Sequence, residues 1–119
     1  MTDLRAEWRR TRVYCSGPLT TGNQFENVIR AVQSADVLRD RGYAVVLPHV
    51  TILWHLISPR PYEDWLENDL EWVRASDCVY RMPGESAGAD RESLFAQEHG
   101  IPVYYSLDTL FAAEPGRRP

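Results

Sequence analysis

The chain reads Ser86-Ala87-Gly88-Ala89-Asp90-Arg91-Glu92 shortly after an apolar run, Cys78-Val79-Tyr80, and a chain-breaking pair, Pro83-Gly84. Ser86 is a favoured N-cap residue, so this stretch predicts a helix that begins here and continues to His99. An apolar strand, a tight turn and a capped helix form the unit from which open α/β sheets are built. This stretch therefore decides the predicted fold.

The same alternation recurs along the rest of the chain. Continuous apolar runs predict strands at 12–16, 43–47, 77–81 and 101–105, and helical spacing of apolar residues predicts helices at 24–41, 62–76, 87–99 and 107–113. Strands that alternate with helices favour a doubly wound parallel α/β sheet, here of four to five strands with helices on both faces. We expect one domain over 1–119, with a core at about 12–106, a lead-in at 1–11 and a disordered tail at 114–119.

One segment lacks a clear period. Residues 48–62 contain Pro48, Pro59 and Pro61 together with two histidines and a tryptophan, so we predict a long irregular loop at 48–60. Loops of this length in a compact domain are more often functional lids than connectors.

Composition excludes several classes of protein. A formal net charge of −4 over 119 residues argues against binding to a nucleic acid polymer. No apolar run approaches the roughly 20 residues needed to cross a bilayer, so we expect no membrane span. Cys15 and Cys78 lie in separate predicted strands and are expected to be buried free thiols, which is typical of a cytoplasmic protein.

Two carboxylates lie on apolar helix faces. Glu92 has Gly88, Ala89, Phe95 and Ala96 as its helical neighbours, and Asp69 has Trp65, Leu66, Trp72 and Val73. Either residue alone could be a partly exposed acid beside small or apolar neighbours. Two such carboxylates on helices that flank one strand favour a paired site. Without a metal pattern or a nucleophilic Ser or Cys, the pair indicates glycosidic-bond chemistry, with no cofactor.

Three loops should meet at the carboxyl ends of the strands and form one pocket: Gly17–Gly22, 48–60 and Met82–Gly88. His49 follows the second strand at this end and could contact a ligand. Ser86 and Gly88 could bind an anion through backbone N–H groups, or Ser86 could simply cap the helix. A zinc site built from the three histidines is disfavoured, since no CxxC or HxxxH spacing occurs.

Four segments occur in the order of a known family: Val13-Tyr14-Cys15-Ser16-Gly17-Pro18-Leu19, Val46-Leu47-Pro48-His49, Glu67-Asn68-Asp69-Leu70-Glu71-Trp72 and Ser86-Ala87-Gly88 with Glu92. Together they resemble the nucleoside 2-deoxyribosyltransferase-like superfamily, including its 2′-deoxynucleoside 5′-monophosphate N-glycosidases. The resemblance covers about residues 12–106. It implies a flavodoxin-like sheet and an active site built across a homodimer contact.

The resemblance also implies roles for individual residues. Glu92 would be the nucleophile that takes the deoxyribosyl group, Asp69 its acidic partner and Tyr14 the residue that orients it. Gly17 would form the pocket floor, and Pro18, Leu19, Thr20, His49, Ser86 and Gly88 would contact the substrate. Ser86 stands where the monophosphate hydrolases carry serine and the transferases aspartate, whereas Thr20 stands where those hydrolases carry arginine.

The sequence thus favours an enzyme that cleaves the N-glycosidic bond of a (2′-deoxy)nucleoside or its 5′-monophosphate through a glycosyl-Glu92 intermediate. Water or a second base would then take the sugar. Two alternatives stay open at this point: a non-catalytic nucleotide-binding module of the same fold, and a flavin-binding flavodoxin-like protein. The expected partners are a small nucleoside or nucleotide and a second copy of the chain.

Overall fold

A computed structural model describes residues 10–116. The elements follow one another as β1 (Arg12–Ser16), α1 (Gln24–Asp40), β2 (Ala44–Val46), a 3-10 helix (Pro48–Thr51), α2 (Ile52–Ile57), α3 (Tyr62–Arg74), β3 (Cys78–Arg81), α4 (Ala87–Glu98), β4 (Val103–Tyr104) and α5 (Leu107–Ala113). The predicted strands and helices all occur, with ends that differ by a few residues. The predicted α/β class is confirmed, with four strands.

All strand pairs in the sheet are parallel, and the strand order is β2-β1-β3-β4. The chain passes from β1 outward to β2 and then crosses to the opposite side of β1 to form β3. The order therefore reverses between β1 and β3, where the connections leave in opposite directions and open a crevice beyond the strand ends. Ser16 pairs with Arg81 at the last register position, so both strands end at this crevice.

Alternate residues of the strands face two separate cores. Val13 and Cys15 pack with Leu38 of α1 and Leu110 of α5 on one face of the sheet. Tyr14 packs with Val73, Val79, Ala96 and Ile101 on the other face, which α3 and α4 cover. Because side chains alternate along a strand, Tyr14 and Ser16 both point toward α4, the helix that carries Glu92. Cys15 and Cys78 are buried free thiols, as predicted.

The prediction of an irregular loop at 48–60 is wrong for most of that segment. Pro48–Thr51 forms a 3-10 helix and Ile52–Ile57 forms α2. The prolines do not interrupt either helix: Pro48 occupies a first-turn position, and Pro59 and Pro61 follow the end of α2. The helical period is hard to detect because Leu53, Leu56 and Ile57 are exposed rather than placed on a buried face.

The described ends of the chain contact each other. The Thr11 hydroxyl donates a 3.0 Å hydrogen bond to the carbonyl oxygen of Pro115. The rest of the expected lead-in, 1–9, and the last three residues of the expected tail, 117–119, lie outside the described residues. Over 10–116, no helix is both long and apolar enough to cross a membrane.

Candidate active site

A cavity of about 540 Å³ opens at the crevice between the carboxyl ends of β1 and β3. It brings together most of the residues predicted to form the site. Its lining includes eight of those ten: Gly17, Leu19, Thr20, His49, Asp69, Ser86, Gly88 and Glu92. Tyr14 reaches the site through its contact with Glu92, whereas Pro18 lines a second cavity, on the side of α1.

Glu92 is the buried carboxylate of this cavity, with only 6% of its surface exposed. The Tyr14 hydroxyl donates a 2.5 Å hydrogen bond to its Oε2, and the Ser16 hydroxyl donates a 2.7 Å hydrogen bond to its Oε1. Burial is the largest influence and raises the pKa of Glu92 above its usual 4.5, and these two hydrogen bonds and the nearby Arg81 guanidinium offset part of that rise. The two donors therefore stabilise the ionised carboxylate in a site that otherwise disfavours charge.

Tyr14 serves as a neutral donor. Burial and the charge of Glu92 raise the pKa of Tyr14 well above its usual value of 10.0, so the phenol keeps its proton. Tyr14 lies in the middle of β1 and packs in the core that α3 and α4 cover, so its position is fixed. A rigid donor of this kind orients a carboxylate at little entropic cost.

Asp69 is the second carboxyl group of the cavity. It lies on α3, which packs against α4, and it is half-buried. Burial first, and the charge of Glu92 second, raise its pKa from 3.8 to about 7. Near neutral pH, Asp69 therefore exists as a mixture of carboxylic acid and carboxylate. Two carboxyl groups whose surroundings differ in this way can divide the roles of nucleophile and proton donor.

Arg81 organises the end of β3 below the cavity. Its guanidinium donates to the carbonyl oxygens of Met82 and Gly84, and forms a 2.9 Å ion pair with Asp90 in the first turn of α4. The arginine side chain is only 8% exposed. Arg81 thus connects β3 and the turn at Met82 and Gly84 to α4, the helix that carries Glu92.

Ser86 caps α4, because its hydroxyl oxygen accepts a 3.1 Å hydrogen bond from the backbone N–H of Ala89. The capping interpretation is therefore correct. The N–H groups of Ala87 and Gly88, as the first two residues of the helix, have no intrahelical acceptor. Gly88 is also needed for close packing, since a Cβ there would lie 2.9 Å from the Tyr62 hydroxyl.

His49 is buried beside the glycine-proline turn that follows β1. Its Nε2 lies 3.0 Å from the carbonyl oxygen of Pro18, so this nitrogen carries the proton, and Nδ1 has no partner in the described part of the chain. Burial lowers the pKa of His49 and favours the neutral ring. Gly17 is tightly packed as well, since a Cβ there would meet the Met82 side chain at 2.7 and 2.9 Å.

Several cavity residues were not assigned individual roles from the sequence. Ser16 was part of a recognised segment but received no role, although its spacing of two from Tyr14 places both on one face of β1. His55, Arg60, Tyr62 and Trp65 also line the cavity. His55 and Arg60 belong to the 48–60 segment that was expected to form one wall of the pocket, but none of the four was assigned a role of its own, because they come from α2, α3 and the proline-rich segment between them. Within residues 10–116, no group of three or more His, Cys, Asp or Glu side chains is arranged to bind a metal ion.

The architecture is similar to that of a solved 2-deoxyribosyltransferase from the psychrotolerant bacterium Bacillus psychrosaccharolyticus. The match has a TM-score of 0.59 and 21% sequence identity, and it covers 78% of this chain and 69% of that chain. The resemblance to the nucleoside 2-deoxyribosyltransferase-like superfamily is confirmed at the level of the fold. No curated protein matches the sequence. Residues 11–105, most of the chain, match one family model, and the chain belongs to the family described as Domain of unknown function (DUF4406).

Proposed function

We propose that this protein cleaves the N-glycosidic bond of a 2′-deoxynucleoside or its 5′-monophosphate through a covalent glycosyl-Glu92 intermediate. One observation carries the proposal. Glu92 is a buried carboxylate that accepts hydrogen bonds from Tyr14 and Ser16 and lines the same cavity as Asp69, whose pKa is about 7. A structural carboxylate would not need a cavity, two dedicated donors and a second acid.

In the first step, a Glu92 oxygen attacks C1′ of the sugar as the bond from C1′ to the base nitrogen breaks. The bonding electron pair leaves with the base, and the protonated Asp69 supplies the proton that neutralises it. The hydrogen bonds from Tyr14 and Ser16 would favour the ionised form of Glu92 and orient it for attack.

In the second step, water attacks C1′ and releases the sugar from Glu92. Asp69, now ionised, accepts the proton of that water and returns to its starting state. A second base that attacks instead of water would give transfer of the deoxyribosyl group rather than hydrolysis. Both outcomes use the same intermediate, and the chain needs no cofactor for either.

We also propose how the substrate lies in the cavity. The turn that follows β1, with Gly17, Leu19 and Thr20, would contact the sugar together with His49, whose unpartnered Nδ1 can accept from a sugar hydroxyl. Ser86 and Gly88 at the start of α4 would lie beside the 5′ end, where backbone N–H groups favour a phosphate.

The chain would act as a cytoplasmic homodimer, by the same proposal. Apolar side chains on α1 and α2 support self-association, since Phe25 is 75% exposed and Ile57 is 85% exposed. Buried free thiols at Cys15 and Cys78 are consistent with a reducing compartment.

Release of free base from a panel of deoxynucleosides and their 5′-monophosphates tests the proposed reaction. We expect release from at least one member by the wild-type protein and none by Glu92→Ala. If no member is cleaved, or if Glu92→Ala releases base as fast as the wild type, the proposal is wrong. Thermal stabilisation by nucleotides without any release would instead identify a non-catalytic nucleotide-binding module.

A further inference from the structure

The ring of His55 is held in a single tautomer. Its Nδ1 lies 2.8 Å from the indole Nε1 of Trp65 and 3.3 Å from the backbone nitrogen of Arg60. An indole N–H and a peptide N–H can only donate, so Nδ1 must be the accepting, unprotonated nitrogen. The neutral imidazole therefore carries its proton on Nε2.

The orientation of that ring is also fixed. The rings of His55 and Trp65 meet edge to face with centroids 5.8 Å apart, and Trp54 packs on Trp65 in the same manner at 5.0 Å. His55 and Trp65 both line the cavity that contains Glu92. No described residue accepts a hydrogen bond from His55 Nε2, so a preset N–H donor is left available at this wall.

The wall formed by Trp65 and His55 lies at a distance from Asp69 that suits the length of a nucleobase. Trp65 and Asp69 are four residues apart on α3, which places them on the same face one helical turn apart, with about 5–6 Å between their Cβ atoms. A base whose glycosidic nitrogen lies at the carboxyl pair would extend along this face, and its outer edge would reach the wall formed by Trp65 and His55.

We propose that His55 is a specificity-determining residue whose Nε2–H donates to a carbonyl oxygen on the outer edge of the base. The substrates would then be nucleosides of 6-oxopurines and 4-oxopyrimidines in preference to their 6-amino and 4-amino counterparts. An exocyclic amino group at the same position would place its own N–H donors against the Nε2–H of His55, so the imidazole would have no acceptor. The inference rests on the proposed function and adds the class of base to it.

Calorimetric titration of the full-length Glu92→Gln variant tests the inference without turnover. Two ligand pairs differ chiefly at the relevant position: 2′-deoxyinosine against 2′-deoxyadenosine, and 2′-deoxyuridine against 2′-deoxycytidine. We expect the oxo member of each pair to bind about tenfold more tightly, the effect of one well-placed hydrogen bond. Adding His55→Phe should abolish the difference in both pairs.

Two further variants separate the role of His55 from folding. Trp65→Phe keeps an aromatic ring but removes one of the N–H groups that fix the tautomer, so the preference should decrease while the fold is retained. His99→Asn is the matched control, because His99 is exposed at the end of α4 and its Nδ1 faces only the carbonyl oxygen of Phe95. It should leave the preference unchanged.

The outcomes distinguish this inference from the proposed reaction. Equal affinities within both pairs, or a preference that survives His55→Phe, would overturn the role of His55 even if the wild type releases base. A preference for oxo bases that His55→Phe removes would support the inference even if the wild type releases none. Absence of binding by every nucleoside would contradict it outright.

Discussion

The Tyr14 hydroxyl and the Glu92 carboxylate, 78 positions apart in the chain, form a 2.5 Å hydrogen bond in the interior of the protein. The bond joins the centre of the sheet to the helix that covers it. Because Tyr14 stays protonated and its hydrogen bond offsets part of the rise that burial causes in the pKa of Glu92, the contact supports a nucleophilic role more directly than a structural one.

Tyr14→Phe is expected to make Glu92 harder to ionise. Loss of a hydrogen bond to a charged group costs about 1.5–3 kcal/mol, so kcat/KM should decrease about 10- to 100-fold. The acid limb of the pH profile of kcat/KM should also move to higher pH, because the pKa of Glu92 increases. Ser16→Ala should shift the same limb in the same direction. A loss of activity with an unmoved acid limb would contradict this account.

Asp69 should produce the basic limb of the pH profile of kcat/KM. Its pKa of about 7 means that the proton donor is lost as pH rises, so kcat/KM of the wild type should decrease above about pH 7. Asp69→Asn cannot donate a proton as an acid, and we expect a 10²- to 10⁴-fold lower kcat/KM with no basic limb of this origin. An unchanged basic limb in Asp69→Asn would assign that limb to another group.

The same carboxyl group affects stability. Its pKa is higher in the folded protein than in the unfolded chain, so the folded state binds more protons between about pH 4 and 7 and its stability decreases as pH rises through that range. At pH 8, Asp69→Asn should therefore be more stable than the wild type by about 2 kcal/mol, less than the full shift because the group is partly exposed. Urea titrations at pH 4 should give the same free energy of unfolding for Asp69→Asn and the wild type.

Arg81→Met should destabilise the protein and also affect Glu92. The carbonyl oxygens of Met82 and Gly84 would lose their donor, at a cost of about 2–3 kcal/mol in the free energy of unfolding. The acid limb should again move to higher pH. Arg91→Met is the matched control, since Arg91 is exposed and its side chain interacts, among the described residues, only with two exposed side chains, those of Tyr62 and Glu63, so its unfolding should be nearly unchanged. Equal unfolding curves for the two variants would refute the role of Arg81.

Gly88→Ala should separate substrate binding from stability. Alanine favours the helix by up to about 1 kcal/mol over glycine, but its Cβ would displace the Tyr62 hydroxyl, which lies 2.9 Å away at the cavity wall. We expect a higher KM with an unchanged or higher melting temperature. Gly116→Ala, where a Cβ meets nothing within 4 Å, should alter neither. A lower melting temperature with an unchanged KM would contradict the placement of Gly88 beside the substrate.

Local patterns were sufficient to predict the sheet and the two carboxylates. Apolar runs such as Val13–Cys15 mark strands covered on both faces, and the helical neighbours of Glu92 and Asp69 reveal that each faces a nonpolar surface. Both inferences need only residues within one turn or one strand. This explains why the predicted element order agrees with the structure almost throughout.

Features set by tertiary packing could not be predicted in this way. The hydrogen bond from Trp65 to His55 joins two helices whose relative position depends on the whole fold. α2 was missed because its apolar side chains are exposed, and apolar periodicity identifies a helix only when one face is buried. Pro18 was assigned to the pocket with its neighbours, but it lines the cavity beside α1 rather than the one that contains Glu92.

The most direct test of the central claim is intact-protein and peptide mass spectrometry of the wild type quenched during turnover of a deoxynucleoside. The account predicts a mass increase equal to one deoxyribosyl group, located on the peptide that contains Glu92 and absent from Glu92→Gln. Turnover without a covalent adduct in any quenched sample, or an adduct on another residue, would contradict a glycosyl-Glu92 intermediate.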